Sequence, residues 1–208
     1  MIFRQISVGM MQNFAYLFGD KEGGEGFVVD PAFENDKILA ATKEHRLNIT
    51  RIVLTHHHFD HVDGAKSIKA RTGAKIIAHP ETASLLKGNA TIDAPIKDDE
   101  GFECGTECRV RILHTPGHAP GAICLLVGEK WLVTGDTLFI GNCGRTDLEG
   151  GNPKALFESL AKIKRLPDDL IICPGHNYGT ATSRTLGEEK KSNPTLSAKT
   201  YQEFLAIP

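Results

Sequence analysis

Cysteine is sparse and irregular: Cys104, Cys108, Cys124, Cys143 and Cys173 are odd in number and scattered, which excludes a disulfide framework. The chain is therefore expected in a reducing compartment, the cytoplasm, with most of its thiols serving as small buried side chains. No apolar run approaches bilayer length, and Met1-Ile2-Phe3-Arg4-Gln5 lacks the basic stretch and sustained apolar core of an export signal. A membrane partner is not expected. Blocks of like charge are missing too: 24 Lys+Arg against 26 Asp+Glu leave a formal charge of −2, so composition makes no case for nucleic acid. Internal repeats and linker-like stretches are also lacking. The 208 residues, 40% apolar and 24% charged, read as one globular domain, 1–208, with one substantial core.

What is present is an alternation of strands and helices. Residues 2–8, 13–18 and 26–30 carry β-branched and aromatic side chains and read as antiparallel strands, with Gly23-Gly24 in a turn rather than a phosphate loop. A helix is predicted over 34–46 from the spacing of Ile38, Leu39, Ala41 and Thr42, then a strand over 51–55. A helix over 65–71 ended by Gly73, a strand over 75–78 and a helix over 81–87 follow. Further strands are predicted at about 101–104, 108–114, 121–127 and 131–135. Asn152 caps and Pro153 opens a helix running to about residue 165, and 170–173 is the last strand. Short outer helices end the chain, with a break at Asn193-Pro194 and Ser197 as a cap. This order implies an α/β fold of two mixed sheets face to face with helices outside, a four-layer sandwich.

The strand at 51–55 delivers His56-His57-His58-Phe59-Asp60-His61, four metal-binding side chains in an H-x-H-x-D-H pattern. His56 and His58, two apart on extended chain, aim to one side. Asp60 and His61 come after the backbone must bend, so they can reach a second ion, as two-metal hydrolytic sites require. Three further signals stand where apolar strands end: His118 in His114-Thr115-Pro116-Gly117-His118, Asp136 in Gly135-Asp136-Thr137, and His176 in Pro174-Gly175-His176. Singly each reads as a surface or capping residue. Together they supply two ions, with His56, His58 and His118 on one, Asp60, His61 and His176 on the other, and Asp136 as a bridge. A water between two such ions loses a proton near neutral pH, and Asp60 and Asp136 are the candidate catalytic carboxylates.

Other patterns carry less. Cys104-x3-Cys108-x5-His114-x3-His118 resembles a structural zinc site, but five residues between the pairs is too short, and those residues read as a strand. His45 at a helix end, His79 at a strand end and His57 as the x of H-x-H are left as spare.

In order and spacing, H-x-H-x-D-H followed by His118, Asp136 and His176 resembles the metallo-β-lactamase fold superfamily over nearly the whole chain. The resemblance implies the αβ/βα sandwich with a metal site along one edge, and it carries the ligand roles onto these seven residues. Residues 135–147, with Cys143-Gly144-Arg145-Thr146-Asp147, resemble the segment after the bridging aspartate in glyoxalase II and the persulfide dioxygenases. Gly175-His176-Asn177-Tyr178 resembles their second-site histidine and following tyrosine. Arg145 and Tyr178 are thereby expected to hold glutathione.

Two enzymes follow from that resemblance. The first is a glyoxalase II-type hydrolase of S-lactoylglutathione or a similar acyl-thiol, using two divalent ions, zinc foremost, with iron or manganese as alternatives. The second is a persulfide dioxygenase with one iron on His56, His118 and Asp136. Only 32 residues follow His176 (208 − 176), which matches the shorter relatives without a C-terminal helical domain. A metal-stabilised binding module without turnover is the reading outside enzymology.

Overall fold

The computed structural model describes residues 1–86, 88 and 90–207. Its first half runs β1 (Ile2–Val8), β2 (Asn13–Gly19), β3 (Glu25–Val29), α1 (Asn35–Glu44), β4 (Asn48–Val53), α2 (Phe59–Val62), α3 (Ala65–Thr72), β5 (Lys75–Ala78), α4 (Pro80–Leu85) and β6 (Ala94–Pro95). The second half runs β7 (Gly101–Cys104), β8 (Cys108–His114), β9 (Ile123–Val127), β10 (Trp131–Gly135), α5 (Pro153–Ile163), β11 (Ile171–Pro174), β12 (Arg184–Thr185), α6 (Leu186–Ser192), α7 (Pro194–Ser197) and α8 (Tyr201–Leu205).

These strands form two six-stranded mixed sheets, ordered β1-β2-β3-β4-β5-β6 and β12-β11-β10-β9-β8-β7. β2 shows why they stack. All seven of its residues are buried, and their alternation sends Phe14, Tyr16 and Phe18 into the core between the sheets and Ala15 and Leu17 under the outer helices. A strand covered on both faces reads as a continuous apolar run. On the far sheet Ile123, Leu125 and Val133 complete the same central core. Ile38, Leu39 and Ile68 lay α1 and α3 over the first sheet. Leu156, Leu160, Ile163, Leu186, Leu196 and Phe204 lay α5 to α8 over the second. Burying each such side chain contributes about 1.5–3 kcal/mol, so the layers are held chiefly by apolar area.

The four-layer arrangement is the one expected, with local corrections. β4 starts and ends earlier than the predicted 51–55, because its parallel pairing with β3 begins at Asn48 and runs to Val53, with a register shift between Ile49 and Arg51. β9 starts at Ile123, two residues after the predicted 121. α1 begins after Glu34, whose left-handed φ of 51° breaks the helical run. α4 stops at Leu85, and Lys87, the predicted end, lies outside the described residues. Ser197 closes α7 rather than capping a helix. The caps are Thr185, which makes a reciprocal capping box with Glu188, Asn193 and Thr200. α2, β6 and β12 have four, two and two residues, too few to leave a periodic signal.

The two sheets are stitched together at one edge. Ile123 N donates to Thr55 O at 2.9 Å and Phe14 N to Gly175 O at 2.8 Å, and the Tyr16 hydroxyl donates to Pro174 O at 2.6 Å. β4, β10 and β11 all end there, and β8 ends in the turn that leads to His118.

Candidate metal centre

The seven residues singled out in the sequence converge at that edge. His56, His58 and His118 form one group whose donor atoms lie within 4.8 Å of one another, and Asp60, His61 and His176 form another. In the first, His58 Nδ1 is 3.1 Å from His56 Nε2 and 2.9 Å from His118 Nε2. In the second, His61 Nε2 is 3.2 Å from His176 Nε2, and Asp60 Oδ2 is 3.6 Å from the former and 3.3 Å from the latter. Asp136 spans both groups. Its Oδ2 is 3.5 Å from His118 Nε2 and 3.3 Å from His176 Nε2, and its Oδ1 is 3.3 Å from His61 Nε2. A tetrahedral ion with bonds of about 2.0–2.1 Å holds its donors about 3.3 Å apart, close to these separations.

Hydrogen bonds behind the rings fix which nitrogen faces inward. His118 Nδ1 donates to Arg145 O at 2.8 Å and His176 Nδ1 to Met11 O at 2.9 Å. His61 Nδ1 donates to Asp30 Oδ2 at 2.9 Å. Thr55 Oγ1 gives its proton to Asp30 Oδ2 at 2.6 Å, so at 3.0 Å it accepts from His56 Nδ1. Each of these four rings has its Nδ1 proton committed and its Nε2 turned to the centre, the arrangement that ligating histidines need.

The charge pattern fits as well. Burial and the neighbouring imidazoles push His56 down, hold His58 at about 4 and lower His118, so the first group consists of neutral imidazoles. Around the second, burial works against ionised carboxylates, but His176, His61 and Asn13 outweigh it and bring Asp60 to about 2. Asp136 is lowered far below the carboxylate range by His61 and His176 in spite of its burial. His176 is raised to about 9, because Asp136 and Asp60 more than offset the cost of burying its cation. Asp136 Oδ1 is buried with no hydrogen-bond partner. A buried carboxylate oxygen without a hydrogen bond, beside converging imidazole nitrogens, is what a cation would satisfy.

Two positioning residues escaped the sequence reading. Asp30 is 2% exposed, has a positive φ of 47°, and accepts from Thr55 N at 2.7 Å besides Thr55 Oγ1 and His61. Asn13 Nδ2 donates to Asp60 O at 2.9 Å and to Asp60 Oδ2 at 3.0 Å. A lone Asp after an apolar strand carries no such sign in sequence, because its partners lie 25 and 31 residues away.

The spare histidines stay out of both groups. His79 stacks on His114 with ring centroids 3.9 Å apart, and His45 pairs with Glu22 at 2.6 Å. His57 lines the cleft above the donors. Cys104 and Cys108 face each other across the β7–β8 hairpin, apart from the metal groups.

That cleft, of ≈ 710 Å³, also includes Arg145 and Tyr178 in its lining. Arg145 makes a bidentate pair with Asp147, Nε and one terminal nitrogen each 2.6 Å from a carboxylate oxygen. Tyr178 is 55% exposed and stacks on His176 with centroids 4.5 Å apart. Neither is a core residue.

A mixed-sheet sandwich with this His/Asp edge is that of the metallo-β-lactamases: the profile of the Metallo-beta-lactamase superfamily matches residues 8–176, and the chain belongs to that family. Within it, the chain is similar to enzymes of two kinds. It is 36% identical to the hydroxyacylglutathione hydrolase of Polaromonas sp. over 86% of this chain and 67% of that one. It is 34% identical to hydroxyacylglutathione hydrolase GloC of Haemophilus influenzae over 90% of this chain and 94% of that one. Human mitochondrial persulfide dioxygenase ETHE1 is 32% identical over 99% of this chain and 80% of its own. The crystal structure of ETHE1 from Myxococcus xanthus superposes with a TM-score of 0.89 at 31% identity, covering 100% of this chain and 92% of that one. No helix among the described residues is long and apolar enough to cross a membrane.

Proposed function

We propose that the chain is a metal-dependent thioester hydrolase of the hydroxyacylglutathione hydrolase type, holding two divalent ions and acting on a glutathione-type acyl-thiol. The observation that carries this reading is the complete second donor group: the donor atoms of Asp60, His61 and His176, like those of His56, His58 and His118, lie within 4.8 Å of one another, with Asp136 between the groups. Bound ions would acidify a water held between them and polarise a thioester carbonyl. Zinc is the first choice for imidazole and carboxylate donors, with iron or manganese as alternatives.

The chain's own residues do the rest. Asp60 and Asp136 stay ionised at neutral pH and supply the negative charge that draws cations in. Asn13 and Asp30 hold Asp60 and His61 in place by hydrogen bonds, which limits the rotamer freedom these two donors lose on metal binding. Arg145 and Tyr178 orient the thiol portion, the guanidinium exchanging Asp147 for a substrate carboxylate and the phenol donating a hydrogen bond. The five unpaired cysteines fit a cytoplasmic location.

The second reading is a persulfide dioxygenase using one iron on His56, His118 and Asp136, with glutathione persulfide as substrate. Similarity to ETHE1 over 99% of the chain favours it. Metal analysis of protein purified without added metal, joined to two assays, separates the readings. Two ions per chain, rapid hydrolysis of S-lactoylglutathione or another acylglutathione, and loss of both the second ion and hydrolysis in His61→Ala support the hydrolase. One iron per chain with oxygen uptake on glutathione persulfide would replace it with the dioxygenase. Absence of turnover on any thiol substrate would leave a binding module.

A further inference from the structure

The cleft over the metal donors, at ≈ 710 Å³, is well within the range of about 300–1,000 Å³ of small-molecule sites. Away from the donors much of its wall is apolar, built from Met11, Phe59, Leu85, Phe139, Ile140 and Leu148, with His57, Asn142, Arg145 and Glu149 as its polar members. Several of these are large side chains open to solvent: Phe59 is 58% exposed, Met11 41% and Leu148 40%. The other large apolar side chains exposed among the described residues are Met1, Met10, Tyr178 and Leu205. Met10 adjoins Met11, and Tyr178 lines the same cleft. Exposed apolar surface is thus concentrated where a ligand would sit, and such concentrations mark binding surfaces.

Groups able to recognise a small polar group are fewer than these apolar ones. Asn142 Oδ1 accepts from Cys143 N at 2.8 Å, Glu149 is an anion, and among the described residues Arg145 is the only lysine or arginine of the lining. Among the described residues a charged thiol portion therefore has one cationic anchor, and the apolar wall is left for something else.

We propose that this wall binds the acyl arm, and that the preferred substrates are thioesters carrying an apolar acyl chain of several carbons rather than a small hydroxyacyl group. The inference rests on the thioester hydrolase reading, in which the donor groups fix the position of the carbonyl and both arms run along the walls. In the reaction the oxygen of water bonds to the acyl carbon, the C–S bond breaks, and sulfur leaves with the electron pair and takes up a proton. Every methylene laid against the wall raises kcat/KM by up to about fourfold. A lactoyl group would leave most of that wall wet.

The test compares S-acetyl-, S-butanoyl- and S-octanoylglutathione with S-lactoylglutathione on the metal-loaded full chain, and titrates S-methyl- and S-hexylglutathione by calorimetry. Expected are kcat/KM values that climb with chain length, octanoyl exceeding lactoyl by about tenfold or more, and tighter binding of S-hexyl- than S-methylglutathione. Leu148→Ser and Met11→Ser should each lower the octanoyl-to-acetyl ratio of kcat/KM. Hydrolysis that is flat with chain length or favours lactoyl, together with equal affinities for the two S-alkyl probes, overturns the acyl-wall inference and leaves the hydrolase intact. Chain-length-dependent binding without turnover of any thioester does the reverse: the wall stands and the hydrolase reading falls.

Discussion

Asp30 Oδ2 accepts the Nδ1 proton of His61 at 2.9 Å, tying the end of β3 to a metal donor 31 residues further along. The same carboxylate accepts from the Thr55 hydroxyl, which in turn accepts from His56. One buried side chain thereby sets the inward nitrogen in both donor groups. Asp30→Asn keeps the shape and tolerates the positive φ but replaces an anionic acceptor with a neutral amide. It should weaken binding of the second ion by about 10–100-fold. Metal content after dialysis at graded free zinc reads this directly; wild-type retention of the second ion would show that Asp30 acts on the fold alone.

His118→Ala and Asp136→Ala remove a first-group donor and the shared donor. Activity should fall by about 10²–10³-fold or more in each, while far-ultraviolet circular dichroism stays native, because both side chains project from loops at strand ends rather than from the core. Full activity in either variant would overturn the site assignment.

Arg145→Ala and Tyr178→Phe should raise KM for a glutathione conjugate with little change in kcat, since both lie on the cleft wall beyond the donor atoms. Metal content should not move. Unchanged KM in both variants, across every glutathione substrate tried, would remove glutathione from the proposal.

Gly175 precedes the ligand His176 and has no room for a side chain, because a Cβ there would press on Asp136 Oδ1 and the His61 ring. Gly175→Ala must therefore displace the shared carboxylate. The expected result is a folded protein that binds its second ion poorly; zinc binding followed by calorimetry should show one strong site, and two unperturbed sites would contradict the packing described.

Cys143 lies on the cleft, yet burial raises its thiol to about 11. A raised value means the neutral thiol dominates at physiological pH, so the nucleophilic thiolate is scarce. Alkylation of Cys143 by iodoacetamide should be slow near pH 7 and speed up about tenfold per pH unit until about 11. Fast alkylation at neutral pH, or full loss of hydrolysis in Cys143→Ser, would point to a cysteine nucleophile instead of a metal centre.

Much of this protein is legible from its sequence, for reasons of distance along the chain. His56 and His58 share a side because extended chain alternates every residue, and Asn152-Pro153 starts α5 because capping involves groups three residues apart, as Asn152 Oδ1 accepting from Ala155 N at 3.0 Å illustrates. The double burial of β2 shows in its unbroken apolar run. The family resemblance carried ligand roles onto the two donor groups already read from the motif order. Other features exist only through partners far along the chain. Asp30 and Asn13 look like ordinary strand-end residues until the stacked sheets bring His61 and Asp60 beside them. α2 is a single turn, and β6 and β12 are two-residue edges, held by tertiary neighbours rather than by propensity. Arg145 entered the sequence reading as a glutathione contact through the resemblance alone, and its bidentate pair with Asp147, although only two residues on, was not read there. Nor was the apolar wall, whose members come from the chain before β2, the turn opening α2, the end of α4 and the loop after β10, and become one surface only when the two sheets close on a common edge. Local periodicity fixes which side of an element is apolar; which sides meet, and which buried polar atoms are left facing one another, is decided by the packing of the whole.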